Sequence, residues 1–540
     1  MSERLCDRDD LAPLAARIRR VPLAHVPERG REACERLGLA AGPAADLVTG
    51  AAGSSPFLAD LVRREAEWLA DALERPPETV FAELWEGLPE EGGVTAVLSA
   101  LRRAKGRVAL LTALADLGGV WSLEEVTRAL TEFADAAVWR LADALTSAEA
   151  ARRHLPGLEA GARAADAGLV VFAMGKMGAH ELNYSSDIDL IALFDESRYA
   201  PSDWAEARSA LVRVVRRLAR MLAERSAEGY VFRTDLRLRP DPASTPVCMS
   251  MEAAERYYEA LGRTWERAAW IKGRPAAGDL EAGARFLERL TPFVWRRYLD
   301  FAAIEEAHAM RLRIRAHRGI GGPLRLDGHD LKLGLGGIRE IEFFAQTHQL
   351  IFGGREPLLR RRATVEALAA LAEAGHVGRE DAAWLAEAYR AHRGIEHRLQ
   401  MVADAQTHRL PRDEEGWRRL ACLCGEGDPL RLRRALAERL EAVHARIEGF
   451  FARSEADGTD LPPPHEIEAR FGPGAPETVE RWARYAVMRS ERARRSFRRI
   501  GRRLLERLAE AANPPGALAA FDAFLGGLPA GAQLFALFEA

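Results

Sequence analysis

A change of period restricts this chain more than any other feature. Apolar residues recur at helical spacing in LADLVRREAEWLADALE (58–74) and VLSALRRAKGRVALLTALADL (97–117), as on the buried stripe of packed helices. Between about residues 165 and 345 that spacing is broken by short β-rich runs: GLVVFAM (168–174), IDLIALF (188–194) and YVFRTDLRLR (230–239). Helical segments such as residues 203–227 separate them, and from about residue 355 the helical pattern returns. Strands alternating with helices predict an α/β or α+β domain held between helical parts. The expected divisions are a helical region over 1–160, the strand-bearing domain over 161–345, a helical bundle over 346–456, a Pro/Gly-rich linker over 457–477 and a further helical segment over 478–540. No fixed repeat of about thirty to forty residues supports a solenoid.

With 540 residues, each division can bury its own core, and about two to four domains are expected. The 48% hydrophobic and 29% charged fractions are those of a globular protein, and no window approaches the roughly eighteen apolar residues of a membrane span. The first residues, MSERLCDRDDLAPL, are charged and lack a secretory apolar core, so the cytoplasm is the expected compartment. Five cysteines make no disulfide framework, and Cys422 and Cys424 are expected to be packed thiols. A net charge of −3 gives no whole-protein field for nucleic acid.

Within the β-rich region, Asp187 and Asp189 interrupt an apolar run. Side chains alternate along a strand, so both carboxylates project to one side while Ile188 and Leu190 project to the other. Ile188 and Leu190 are expected to face the core, and the aspartate face to open into a cleft. Two carboxylates so close repel unless a cation lies between them, and an all-oxygen set suits Mg²⁺ or Mn²⁺. In YVFRTDLRLR, Asp235 shares a face with Arg233 and Arg237 and supplies a third carboxylate, enough for two metal ions. Gly175 and Gly178 form a turn after the preceding strand, and Ser185 and Ser186 offer hydroxyls just before the aspartates.

A second constellation is KLGLGGIREIEFFAQTHQLIF (332–352), where Gly334, Gly336 and Gly337 precede a helix and Lys332 and Arg339 stand nearby. It is a candidate anion site; the alternative is tight packing at the glycines, with Glu340 and Glu342 pairing to arginines. His397 and His408 are too far apart for an i,i+4 metal pair, and structural roles or a hydrogen bond to Glu396 are expected. The arginine-rich residues 491–508 surround Phe497, Ile500, Leu504 and Leu508, the pattern of a solvated helix face or a contact with an acidic neighbour.

At GKMGAHELNYSSDIDLI the chain resembles the nucleotidyltransferases of the DNA polymerase β superfamily: a glycine turn, about a dozen residues, then D-x-D. More closely it resembles the bacterial bifunctional glutamine synthetase adenylyltransferase/adenylyl-removing enzymes. That likeness includes RTDLRLRPDPASTP (233–246), residues 257–279, FVWRRYLDF (293–301), residues 332–351 and EHRLQMVADAQTHRLP (396–411). It implies an α+β, mostly helical fold, with a polymerase β-like domain and small mixed sheet between a helical arm and helical bundles. It further implies that the chain corresponds to the N-terminal half of that family, with residues 478–540 leading to a second catalytic domain that lies beyond it. The motif wording implies phosphorolytic removal of AMP from a tyrosine of adenylylated glutamine synthetase, releasing ADP. By the same resemblance, Asp187, Asp189 and Asp235 hold Mg²⁺, and Gly175, Lys176, Ser185 and Ser186 contact nucleotide phosphate. Arg233 and Arg237, with the Lys332/Arg339 cluster, are candidates to hold the incoming phosphate. The implied partners are glutamine synthetase, a PII signalling protein, inorganic phosphate and ADP or ATP, with neither nucleic acid nor membrane.

Three other readings remain at this level. One is the same fold attaching AMP from ATP. Another is a non-catalytic module that binds glutamine synthetase or PII, against which clustered carboxylates speak. The third is an unrelated polymerase β-type enzyme acting on a small alcohol or RNA, against which the flanking motifs speak.

Overall fold

The structure is a computed structural model and describes residues 12–89, 93–296, 324–456, 461–489 and 491–528. The described residues divide into two compact units, one within 12–295 and 324–443 and the other within 444–528. Among the described residues no helix is long and apolar enough to cross a membrane.

The first unit begins with helices, as the 3.6-residue spacing predicts. Its two longest early helices are Val94–Leu117 and Leu123–Ala151. The second starts where Ser122 accepts a hydrogen bond from the Glu125 backbone N–H while the Glu125 carboxylate accepts from that of Ser122, a reciprocal cap that satisfies two otherwise orphaned donors. Their leucine, valine and alanine stripes bury against one face of a five-stranded mixed sheet.

The strands are β1 (Leu169–Ala173), β2 (Ile188–Phe194), β3 (Thr234–Asp235), β4 (Cys248–Ser250) and β5 (Arg274–Gly278). β1 lies between β2 and β5, antiparallel to both. β3 and β4 pair in parallel with β2, β3 at its start and β4 at its end. Alternation separates two cores. Leu169, Val171, Ile188 and Leu190 join the core that includes the N-terminal helices and helix Trp204–Ala223. Val170, Phe172, Ile191 and Leu193 face helices Met251–Leu261 and Leu280–Val294, where Phe172 meets Trp270 edge-on at 5.4 Å.

Two expectations need correction here. Asp189 shares its face with Ile191 and Leu193, so that face is not a cleft along its length; only its first residues stand clear of the core. Residues 230–239 do not form a long strand: pairing is limited to Thr234 and Asp235, because the Arg237 N–H donates back to Asp235 Oδ1 at 2.8 Å and closes a turn.

Beyond the sheet, helix Ile338–Phe352 starts at Gly337, and helix Arg379–Met401 is buried on almost every side of its last three turns, charged residues included. In the second unit, helices Pro464–Phe471, Ala475–Trp482, Glu491–Ala509 and Pro514–Gly526 close on a core around Trp482, Phe497 and Phe521. Part of the expected linker is therefore helical, with Ile467 and Phe471 buried; residues 457–460 lie outside the described residues, as do 529–540.

Candidate functional site

The sheet brings the sequence's three aspartates to one end of β2. Asp189 stands opposite Asp235 in the β2–β3 register, and Asp187 precedes β2 by one residue. Gly175, where β1 gives way to the single-turn helix Gly175–Gly178, has φ +52°, and a Cβ there would lie 2.8 Å from Asp189 Oδ2. Only glycine combines that backbone with room for the carboxylate. Burial, then the charges of Asp235 and Asp187, push the Asp189 carboxyl up to about 6, while Lys332 and Arg339 oppose the shift. Those two cations belong to the segment entering helix Ile338–Phe352, so the bundle supplies positive charge to the carboxylates.

The outer carboxylates meet arginines. Arg233 Nε donates to Asp187 Oδ1 at 3.0 Å, and Arg233 also donates to the Ser185 carbonyl and, at 3.2 Å, to the Tyr230 hydroxyl. Arg237 forks onto both oxygens of Asp235 and holds that carboxyl below its ordinary range. Ser185 Oγ donates to Asp404 Oδ1, Tyr230 donates to Asp404 Oδ2 at 2.9 Å, and Ser186 is buried beside Ser185. Lys176 is turned away from the carboxylates and pairs with Glu396 at 3.1 and 3.2 Å, on helix Arg379–Met401.

A sequence profile described as glutamate-ammonia ligase adenylyltransferase matches residues 46–289. A second, described as GlnD PII-uridylyltransferase, matches residues 307–453. The chain is 42% identical over 560 residues to a bifunctional glutamine synthetase adenylyltransferase/adenylyl-removing enzyme of Caulobacter vibrioides, covering 99% of this chain and 57% of that protein. It is 44% identical over 522 residues to a protein of the same name from Bradyrhizobium sp. (strain ORS 278), covering 92% and 52%. Another from Xanthobacter autotrophicus is 45% identical over 509 residues, covering 90% and 51%. The chain belongs to the glutamate-ammonia ligase adenylyltransferase family. It spans about half the length of the curated relatives it matches.

Within this family framework, the first profile contains Gly175 through Asp235 and the second contains Lys332, Arg339 and Glu396. The glycines at 336 and 337 are explained by packing: Gly336 has φ +67°, and a Cβ there would lie 1.8 Å from the Leu440 carbonyl. Arg339 lies 3.5 Å from Glu342. His408 Nδ1 meets Glu396 at 2.6 Å, the hydrogen bond expected for it, and His397 Nδ1 meets Asp116 at 2.8 Å. Cys422 and Cys424 are free thiols.

The donor set of Asp187, Asp189 and Asp235 is all carboxylate, which fits Mg²⁺ or Mn²⁺. The pocket that Gly175 leaves for Asp189 and the mutual repulsion of the carboxylates fit a cation as well. No three His, Cys, Asp or Glu side chains among the described residues are already gathered as a ligand set, since Arg233 and Arg237 hold the outer two. Of these two arginines, Arg237 is 83% exposed and Arg233 is half-buried.

Beyond the His408–Glu396 bond, sequence reasoning missed the network around Glu396, with Glu181, Asn183, Lys272 and Arg393. Glu396 is fully buried and accepts from Lys176, Asn183 and His408, with Arg393 Nε 3.1 Å away. Beside it, Lys272 joins Glu181 at 2.7 Å and Glu342 at 3.4 Å. The one sequence signal was EHRLQ at 396–400, a helical stretch with too many polar residues to leave a plain apolar stripe.

Proposed function

We propose that this chain removes AMP from an adenylyl-tyrosine of glutamine synthetase by phosphorolysis, as one half of a bifunctional adenylyltransferase/adenylyl-removing protein. The observation that carries this reading is the in-register Asp189–Asp235 pair with Asp187 beside it, faced by Lys332 and Arg339. Asp187, Asp189 and Asp235 would hold two Mg²⁺ ions, or Mn²⁺. Bound there, the metal supplies charge neutralisation to the transferring phosphoryl oxygens and the leaving phenolate.

Arg237, Lys332 and Arg339 bind and orient inorganic phosphate. A phosphate oxygen forms a bond to the adenylyl phosphorus, the phosphorus–tyrosine oxygen bond breaks, and ADP leaves while the phenolate takes up a proton. Phosphate is already an anion at neutral pH, so positioning and electrostatics matter more than a general base. The wording and order of the motifs support removal over attachment. A PII signalling protein is the proposed regulator, supported by the match of residues 307–453 to a profile described as a PII-uridylyltransferase.

The test is direct. Incubated with adenylylated glutamine synthetase, Mg²⁺ and phosphate, the chain should release ADP; incubated with unmodified glutamine synthetase and labelled ATP, it should transfer no label. Labelling without ADP release assigns the chain to attachment instead.

A further inference from the structure

Lys176 belongs to the glycine turn, where resemblance places it on nucleotide phosphate. Its geometry gives it another task. Lys176 is 9% exposed as a residue, and its ammonium is fixed on both oxygens of Glu396, which lies 220 residues later in the chain. Burial alone would raise the Glu396 carboxyl, but Lys176, His408 and Arg393 outweigh it and hold it well below the carboxylate range. The same carboxylate accepts from Asn183 Nδ2 at 2.5 Å, four residues before Asp187. Arg393 completes the group: it donates to the Glu181 carbonyl at 2.6 Å, to Asn183 Oδ1, and to the Tyr389 hydroxyl at 2.6 Å.

One buried side chain of helix Arg379–Met401 thus ties down the turn that cradles Asp189, the loop that leads into Asp187, and the loop bearing His408. We infer that Glu396 is a positioning residue of the catalytic carboxylates, acting through Lys176 and Asn183, and that Lys176 is a strut rather than a phosphate ligand. The cations left for phosphate are then Lys332 and Arg339, whose charges act on Asp189, and the exposed Arg237 on Asp235. The inference rests on the proposed AMP-removing activity for its kinetic consequence. It also makes the helical bundle part of the reactive site.

The test uses the full chain with Lys176→Met, Glu396→Gln and Asn183→Ala, assayed for ADP release across phosphate concentrations, with hydrogen exchange followed over residues 175–187. Small displacements of catalytic groups cost on the order of 100-fold in rate, so Lys176→Met and Glu396→Gln should lower kcat by about that factor, leave KM for phosphate unchanged and lose amide protection over 175–187. Asn183→Ala keeps the ion pair and should show the same pattern more weakly, which holds the test open if the charge variants do not fold. A raised KM for phosphate in Lys176→Met with protection intact makes Lys176 a phosphate ligand and overturns the inference, as does wild-type protection in all three variants. No ADP release by the unmodified chain refutes the proposed function instead, while the exchange data still decide the positioning role.

Discussion

Half-buried Asp189 and fully buried Glu396 are carboxylates of the same compact unit, and their surroundings are opposite. Asp189 faces two other carboxylates, and Lys332 and Arg339 act on it without pairing; its carboxyl is pushed up to about 6. Glu396 is surrounded by Lys176, Arg393, His408 and Asn183 and is held well below its ordinary range. Buried charge is costly unless paired and hydrogen-bonded. The fully compensated carboxylate is therefore a structural anchor, and the under-compensated one is where the fold has left electrostatic strain for a ligand to relieve.

Each variant below should break or sharpen that contrast, beginning with the largest effect. Asp189→Asn removes a charge that is repelled in the folded chain. ADP release should fall by at least about 100- to 1,000-fold, while the thermal midpoint, read by circular dichroism, stays level or rises. Glu396→Gln should behave the other way in stability: leaving Lys176 and Arg393 under-compensated should cost about 3–5 kcal/mol, measurable by denaturant unfolding. Gly175→Ala places a Cβ against Asp189 Oδ2 in left-handed backbone and should cost about 1–3 kcal/mol together with most of the activity.

Acid titration separates a third carboxylate. Burial would raise Glu342, but Lys272 and Arg339 overcome it and hold the group down to about 2, from an ordinary value of 4.5. A depressed folded-state value means stability that is fully present above about pH 4.5 and lost as pH falls toward 2. Glu342→Gln should flatten that acid limb in urea unfolding followed against pH. Least costly to the fold is Arg237→Ala: the guanidinium is exposed, so the denaturant midpoint should stay at the unmodified chain's value, while KM for phosphate rises.

The helix–sheet–helix order was legible because periodicity is local: β2 occupies the residues of IDLIALF, and helix Trp204–Ala223 falls within the expected 203–227. The convergence of Asp187, Asp189 and Asp235 was legible in part, since alternation puts the first two on one side, but the Asp189–Asp235 register is a property of the folded sheet. Residues 230–239 looked like a long strand because alternation cannot reveal that Asp235 will cap its own turn. The commitment of Lys176 to Glu396 was invisible for a simpler reason: nothing local to a lysine in a glycine turn announces a partner 220 residues away.

The most direct test of the central claim compares the unmodified chain with Asp189→Asn for ADP release from adenylylated glutamine synthetase in Mg²⁺ and phosphate, with both thermal midpoints recorded. Release by the unmodified chain, and none by a variant that is equally or more stable, is the predicted result. Undiminished release by the Asp189→Asn chain would contradict it.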